Sequence, residues 1–126
     1  MKTILLDTDV LINFLRGREK ARDYLLSLMG EADLCCSVVT VAEIHAGMKG
    51  HEQAKTVDLL DSLSIVDVTR GIAEKAGAYK RTIKSQGLEL DDCIIAATAF
   101  VKRATLATGN GRHYPMSDVK KAVVAG

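Results

Sequence analysis

The chain has 126 residues, enough for one hydrophobic core of ordinary size but not for two. Hydrophobic residues make up 48% and charged residues 26%, and 17 basic against 16 acidic side chains leave a net charge of +1. This balance excludes a disordered chain and a protein that captures nucleic acid through its overall charge. We predict one globular domain over residues 1–126, in which only local charge selects a partner.

Three cysteines, Cys35, Cys36 and Cys93, form neither an even set nor a C-x-x-C pair. Their number and spacing exclude a disulfide framework and a structural zinc site, and predict a reducing, cytoplasmic setting. Asp7 interrupts the first apolar residues too early for a secretory leader, and no apolar run has the length that spans a bilayer. We therefore predict no membrane role.

Short apolar runs alternate along the chain with segments of helical periodicity. The runs predict strands at residues 3–6, 34–39, 64–68 and 105–107. Apolar residues at helical spacing predict helices at 10–15, 21–29, 41–48, 52–63, 69–85 and 94–101. This alternation predicts an α/β fold, with a parallel sheet of four or five strands between helices.

An acidic residue, Asp7, directly follows the first predicted strand, and Thr108 and Asn110 follow the last. Ligands of open α/β sheets bind at the carboxyl ends of the strands, so these side chains are candidates for a site. A carboxylate at such a buried position needs a hydrogen-bond donor or a cation. The alternative for Asp7 is to cap the next helix, a role that Thr8 or Asp9 could share.

Glu43 has two interpretations. Residues 40–43 match the T-x-x-E capping box, in which the glutamate bonds back to the amide of the capping residue, here Thr40. The same position lies one turn beyond the second predicted strand and faces the same crevice as Asp7. Asp91 and Asp92 open a strongly apolar helix, where capping accounts for one acid but not for two.

Several carboxylates in one crevice repel each other, by about 4 kcal/mol per pair at 4 Å in an effective dielectric near 20. A cation must therefore compensate them. Aspartate, glutamate and an asparagine carbonyl, without cysteine or paired histidine ligands, favour Mg²⁺ or Mn²⁺ over Zn²⁺. Such a site is typical of enzymes that attack phosphodiesters with a metal-activated water.

Four segments carry a resemblance to a known family: residues 4–12, 37–47, 92–99 and 106–110. In order and spacing they resemble the PIN-domain ribonucleases, particularly the VapC-type toxins of toxin-antitoxin pairs. The resemblance covers nearly the whole chain and implies a three-layer α/β/α fold. It also implies Mg²⁺- or Mn²⁺-dependent RNA cleavage, a homodimer, and inhibition by a VapB-like antitoxin whose C-terminal segment occupies the active-site groove.

Matched position by position, the family's metal-binding and catalytic acids fall on Asp7, Glu43 and Asp92. The fourth position, often aspartate in the family, falls on Asn110, whose neutral amide binds a cation less strongly and would hold a second metal only weakly. We expect four neighbouring residues to orient these ligands: Asp9, Thr40, Asp91 and Thr108.

Basic residues near the site are candidates for RNA contacts. Arg16 and Arg18 lie around the first predicted helix break, and Arg112 and His113 follow Asn110. An RNA backbone could lie across them. The alternative for each one is an ordinary solvated charge at a helix end.

Three other functions remain open. A haloacid-dehalogenase-like phosphatase would use Asp7 as nucleophile and Asp9 as acid and base, but that family places its threonine motif before its late acids, whereas Thr108 follows Asp92 here. A phosphoacceptor receiver module would explain Asp67 at a strand end but needs a lysine after its last strand. Asn110 gives some weight to a non-catalytic PIN-like binding module.

Overall fold

A computed structural model describes residues 1–125. Five strands form its single sheet: β1 Lys2–Leu6, β2 Ala32–Ser37, β3 Ser64–Val66, β4 Thr105–Thr108 and β5 Lys121–Val123. Six helices accompany them: α1 Thr8–Leu15, α2 Glu19–Leu28, α3 Val38–Gly47, α4 Gln53–Asp61, α5 Arg70–Thr82 and α6 Leu90–Lys102. Two short 3₁₀ turns lie at Gly50–Glu52 and Gly111–His113.

All strand pairs are parallel, in the order β3-β2-β1-β4-β5. The chain builds outward from β1 on one side, through β2 and β3, and then returns to the other side of β1 with β4. The carboxyl ends of β1 and β4 therefore flank the point where the direction of winding reverses, which is where open α/β sheets form their ligand crevice. Leu5 of β1 pairs with Leu106 of β4, so both strands end at this edge.

Successive side chains of each strand point to opposite faces of the sheet, so a hydrophobic core forms on each face. Leu5 and Leu106 face α5 and α6, where they pack with Ile72 and Ile95. The flanking residues of the same strands turn to the opposite face, which α1, α2, α3 and α4 cover. The predicted α/β architecture, with a parallel sheet between two helical layers, is confirmed, and the sheet has five strands.

The starts of α3 and α6 differ from the prediction at residues of the predicted site. The second strand ends at Ser37, not at residue 39, because the Ser37 hydroxyl accepts the amide of Val39 at 3.1 Å and begins α3 there. Thr40 is therefore a fully buried residue inside α3, and its predicted role as a cap was wrong. Helix α6 begins at Leu90 after Glu89, which places Asp91 and Asp92 in its first turn.

Three further observations complete the fold. β5, at one edge of the sheet, was missing from the sequence prediction. The three cysteines are buried and unpaired. Within residues 1–125, none of the helices is both long and apolar enough to cross a bilayer.

Candidate active site

Asp7 lies at the centre of the carboxyl edge and is only 8% exposed. One of its oxygens, Oδ1, accepts the amide of Thr8 at 2.8 Å, and the other, Oδ2, accepts the hydroxyl of Thr108 at 2.8 Å. Asp7 is thus the N-cap of α1 and at the same time a buried carboxylate between β1 and β4. The two interpretations of its sequence position describe one and the same geometry.

Glu43 projects from the second turn of α3 toward the start of α1. Its Oε1 accepts the hydroxyl of Thr8 at 2.6 Å, and the Thr40 hydroxyl lies 3.0 Å from that of Thr8. The predicted capping box is wrong, because α3 begins at Val38, two residues before Thr40, and the glutamate bonds across to α1 instead. Thr8, one residue after Asp7, therefore links the two acids.

Asp92 enters from the first turn of α6. Its amide donates to Asp91 Oδ1 at 2.9 Å, and its own Oδ1 lies 3.5 Å from the hydroxyl of Tyr114. Tyr114 is completely buried. Its role could not be predicted from the sequence, because the pattern around a tyrosine four residues after Asn110 does not distinguish a ring in the core from a ring that contacts a site.

Asp9 and Asn110 occupy the rim of the crevice. Both oxygens of Asp9 accept the amide of Gly109, at 3.0 and 3.2 Å, and a Cβ on that glycine would lie 2.6 Å from Asp9 Oδ2. Asn110 is exposed, and its Oδ1 accepts the amide of Arg112 at 3.2 Å as the cap of the 3₁₀ turn. Its amide donates to Thr108, so its backbone, and not its side chain, is connected to Asp7.

We call Asp7, Glu43 and Asp92 the carboxylate cluster. Burial, reinforced by the charge of Asp9, raises the pKa of Asp7 to about 6. Burial also raises the pKa of Glu43 to about 7, although the Thr8 hydrogen bond opposes this. The pKa of Asp92 is raised by burial and then by the charge of Asp91. All three carboxylates are therefore less stable in their charged form than free side chains would be.

Compensating cations are scarce around the cluster. The ion pairs of residues 1–125 join Arg22 to Asp23, Arg70 to Glu74 and Lys75 to Asp118, and none includes a member of the carboxylate cluster. His113, exposed in the neighbouring turn, lowers the pKa of Asp92 by its charge but forms no ion pair with it. Negative charge at this edge is therefore left without a basic partner at contact distance.

The donors of the cluster are carboxylate oxygens, which suit a hard divalent cation. Across residues 1–125, no three acidic, histidine or cysteine side chains stand close enough to enclose an ion on their own. This arrangement fits Mg²⁺ or Mn²⁺, because Mg²⁺ keeps several waters and binds through one or two carboxylates together with substrate phosphates. Zinc, which prefers a closed set of nitrogen and sulfur ligands, does not fit.

The candidate RNA contacts fall into two groups. Arg112 and His113 lie in the turn after Asn110, next to the cluster. Arg16 and Arg18 are exposed at the far end of α1, whose eight residues span about 12 Å from the cap at Asp7. The structure thus brings one basic pair to the site and places the other about one helix length away.

Comparisons with known proteins bear on this site. The PIN domain family profile matches residues 4–120. Ribonuclease VapC10 of Mycobacterium tuberculosis (strain ATCC 25618 / H37Rv) is 42% identical over 122 residues, which cover 94% of this chain and 90% of that protein.

Two solved structures have a similar fold. A toxin-antitoxin complex from Klebsiella pneumoniae contains a chain that superposes with a TM-score of 0.80 at 30% identity, over 93% of this chain and 95% of that one. The crystal structure of VapBC2 from Rickettsia felis, bound to a DNA fragment from its promoter, matches with a TM-score of 0.86 over 97% and 98% of the two chains. At 21% identity, this second likeness concerns the fold alone.

Proposed function

The chain belongs to the PIN domain family, and from this premise we propose that it is a metal-dependent endoribonuclease, the toxin of a VapBC-like toxin-antitoxin pair. The observation that carries the proposal is the carboxylate cluster: three acids with raised pKa values meet at the carboxyl edge without a basic partner in contact. We further propose that residues 1–126 act as a single PIN domain.

In this proposal Asp7, Glu43 and Asp92 hold Mg²⁺ or Mn²⁺ together with waters and substrate phosphate, because no three side chains of residues 1–125 enclose an ion on their own, and Asn110 is a weaker fourth ligand. When bound, such an ion lowers the pKa of a water, orients it toward a phosphodiester and neutralises the developing charge. Because Asn110 stands where the family often has an aspartate, the site has one carboxylate fewer, which favours one tightly bound ion over two.

The other residues orient these ligands. Thr8 donates to Glu43 and Thr108 donates to Asp7, so each carboxylate keeps one oxygen in a fixed direction. Asp9 holds the backbone of Gly109, and with it the turn that carries Arg112.

Basic residues bind the substrate in this proposal. Arg112 and His113 contact the phosphates next to the scissile bond, and Arg16 and Arg18 contact the backbone farther along. These contacts are to phosphate, so they position an RNA strand without selecting its sequence.

For partners, we propose a VapB-like antitoxin that covers the active-site groove, and a homodimer as the assembled form. The support is the similarity to VapC10 and to a chain of the Klebsiella toxin-antitoxin complex. A toxin that is inhibited by its own partner also explains why an active ribonuclease can be kept in a cell.

The test is cleavage of a structured RNA pool by the purified protein in Mn²⁺, in Mg²⁺ and in EDTA. We expect cleavage in either metal, none in EDTA, and none from Asp7→Asn, which also serves as the control for contaminating ribonuclease. RNA cleavage that persists in EDTA, or that Asp7→Asn retains, would contradict the proposal.

A non-catalytic binding module is the second candidate, because the Asn110 side chain is neutral and already engaged by Arg112. It predicts RNA binding without cleavage in any metal. A phosphate monoester in the same assay tests the phosphatase alternative, which predicts monoester hydrolysis instead of RNA cleavage.

A further inference from the structure

Tyr114 reaches the carboxylate cluster from the interior of the protein. It is the largest of the fully buried side chains, and its hydroxyl lies 3.5 Å from Asp92 Oδ1. The phenol group of Tyr114 therefore faces an acid at the start of α6.

The backbone on both sides of the ring is tied down. The amide of Tyr114 donates to the Gly111 carbonyl at 3.1 Å, and its carbonyl accepts Lys121 Nζ at 2.5 Å. Lys121 is the first residue of β5, which pairs with β4 beside the site. Met116 and Val119 are buried in the same core as the ring. The tyrosine therefore cannot move away from Asp92 without disturbing β5 and the core.

Within residues 1–125 the Asp92 carboxylate receives no side-chain hydrogen bond other than that of Tyr114. Asp7, by contrast, already has Thr108.

We propose that Tyr114 is a positioning residue whose hydroxyl holds the Asp92 carboxylate in the direction that a divalent cation requires. The inference rests on the metal-binding part of the proposed function, but not on the identity of the substrate. It deepens that function by assigning the orientation of one ligand, Asp92, to a residue outside the ligand set.

The alternative is that Asp92 serves only as the hydrogen-bond acceptor that the buried Tyr114 hydroxyl requires. The chain contains a matched example, Tyr79, which is 5% exposed and donates to Asp118 at 2.7 Å, with Lys75 rather than other acids beside the carboxylate. Tyr79→Phe removes a buried hydroxyl and its bond to an aspartate without touching the carboxylate cluster. It is the control for Tyr114→Phe.

The experiment measures Mn²⁺ binding to the full chain at pH 8, by electron paramagnetic resonance of the free ion. The proteins compared are the parent, Tyr114→Phe and Tyr79→Phe, and thermal unfolding in EDTA records the structural cost of each change. We expect Tyr114→Phe to weaken Mn²⁺ binding about 10-fold or more, the effect typical of residues that orient metal ligands. Tyr79→Phe should stay within about 2-fold of the parent.

Three results would overturn the inference: Mn²⁺ binding by Tyr114→Phe within about 2-fold of the parent, equal weakening by both variants, or no binding by the parent. If the parent binds Mn²⁺ and Tyr114→Phe weakens it, but no RNA is cleaved, the assignment of Tyr114 stands and the ribonuclease proposal fails. The two proposals are therefore separable.

Discussion

Two parts of the molecule bring a tyrosine hydroxyl to an aspartate, with opposite electrostatic results. In the first, which we call the lysine cluster, Asp118 accepts Tyr79 at 2.7 Å and Lys75 at 2.9 Å. Burial acts to raise the pKa of Asp118, but these hydrogen bonds outweigh it and the pKa is lowered. In the carboxylate cluster, Tyr114 faces Asp92, whose pKa is raised.

The difference lies in the cation. Lys75 completes the lysine cluster, and its ammonium group also lies 4.0 Å from the ring centre of Phe100. Among residues 1–125, no counterpart of Lys75 is in contact with the carboxylate cluster. One cluster is electrostatically balanced by a lysine of the chain, whereas in our proposal the other is balanced by a cation from solution. The second arrangement destabilises the fold and is expected where the charge has a function.

We expect substitutions in the carboxylate cluster and in the lysine cluster to differ most in their effect on RNA cleavage. Asp7→Asn should reduce the rate by at least about 100-fold, since removing even a group that only orients a metal ligand costs 10- to 100-fold. Asp118→Asn, the same change in the lysine cluster, should stay within about 2-fold of the parent. Comparable losses in both variants would show that Asp7 acts through stability and not through the site.

The pH dependence of stability should differ as well. The pKa of Asp7 is raised in the folded state, so this group favours folding below its unfolded pKa, and that contribution is lost as pH rises through about 6. Glu43 acts in the same direction up to about pH 7. In EDTA the free energy of unfolding should therefore fall between about pH 4 and pH 7, by about 3 kcal/mol for Asp7.

Urea unfolding of the parent and of Asp7→Asn across this pH range measures the effect. Asp7→Asn should be more stable than the parent above pH 7 and should lose the part of the pH dependence that Asp7 contributes, while the part from Glu43 remains. A variant less stable than the parent at pH 8 in EDTA would mean that the Asp7 charge is compensated within the chain.

Addition of a divalent metal should raise the free energy of unfolding of the parent by about as much as the ionisation of Asp7 lowers it. An ion present at about 100 times its dissociation constant adds about 2.7 kcal/mol to the free energy of unfolding. Because protons compete for the same oxygens, the shift in Tm with Mn²⁺ should be larger at pH 8 than at pH 5, and absent in Asp7→Asn. Equal shifts in parent and variant would place the ion elsewhere.

The smallest effect is expected in the lysine cluster. Lys75→Met removes a partly exposed ion pair and a cation–π contact, which together contribute about 1 kcal/mol. Thermal unfolding should record this loss, while Mn²⁺ binding and RNA cleavage remain as in the parent. A loss of Mn²⁺ binding in Lys75→Met would mean that the two clusters are coupled.

The fold could be predicted because its signal is local. Apolar runs such as residues 3–6, followed by helical periodicity, specify buried parallel strands and their covering helices without knowledge of distant contacts. The edge strand β5 was missed because three residues with exposed ends carry little apolar pattern. The start of α3 was missed because Ser37 and Thr40 are both capable caps, and packing decided between them.

The carboxylate cluster could be predicted because strand ends converge at one edge of a parallel sheet. The side-chain directions could not be predicted from the same rule. Glu43 bonds to Thr8 and the Asn110 side chain caps its own turn, and each choice depends on atoms that are remote in sequence or on the exact turn geometry. Tyr114 is the clearest case, because only the folded chain shows that its hydroxyl faces Asp92.

The central claim is that the carboxylate cluster is left without a basic partner in order to hold a divalent cation. Calorimetric titration of Mn²⁺ into the parent, Asp7→Asn and Asp118→Asn at pH 8 tests it most directly. We predict saturable binding by the parent and by Asp118→Asn, and none by Asp7→Asn. The absence of saturable binding by the parent, or equal binding by all three proteins, would contradict the account.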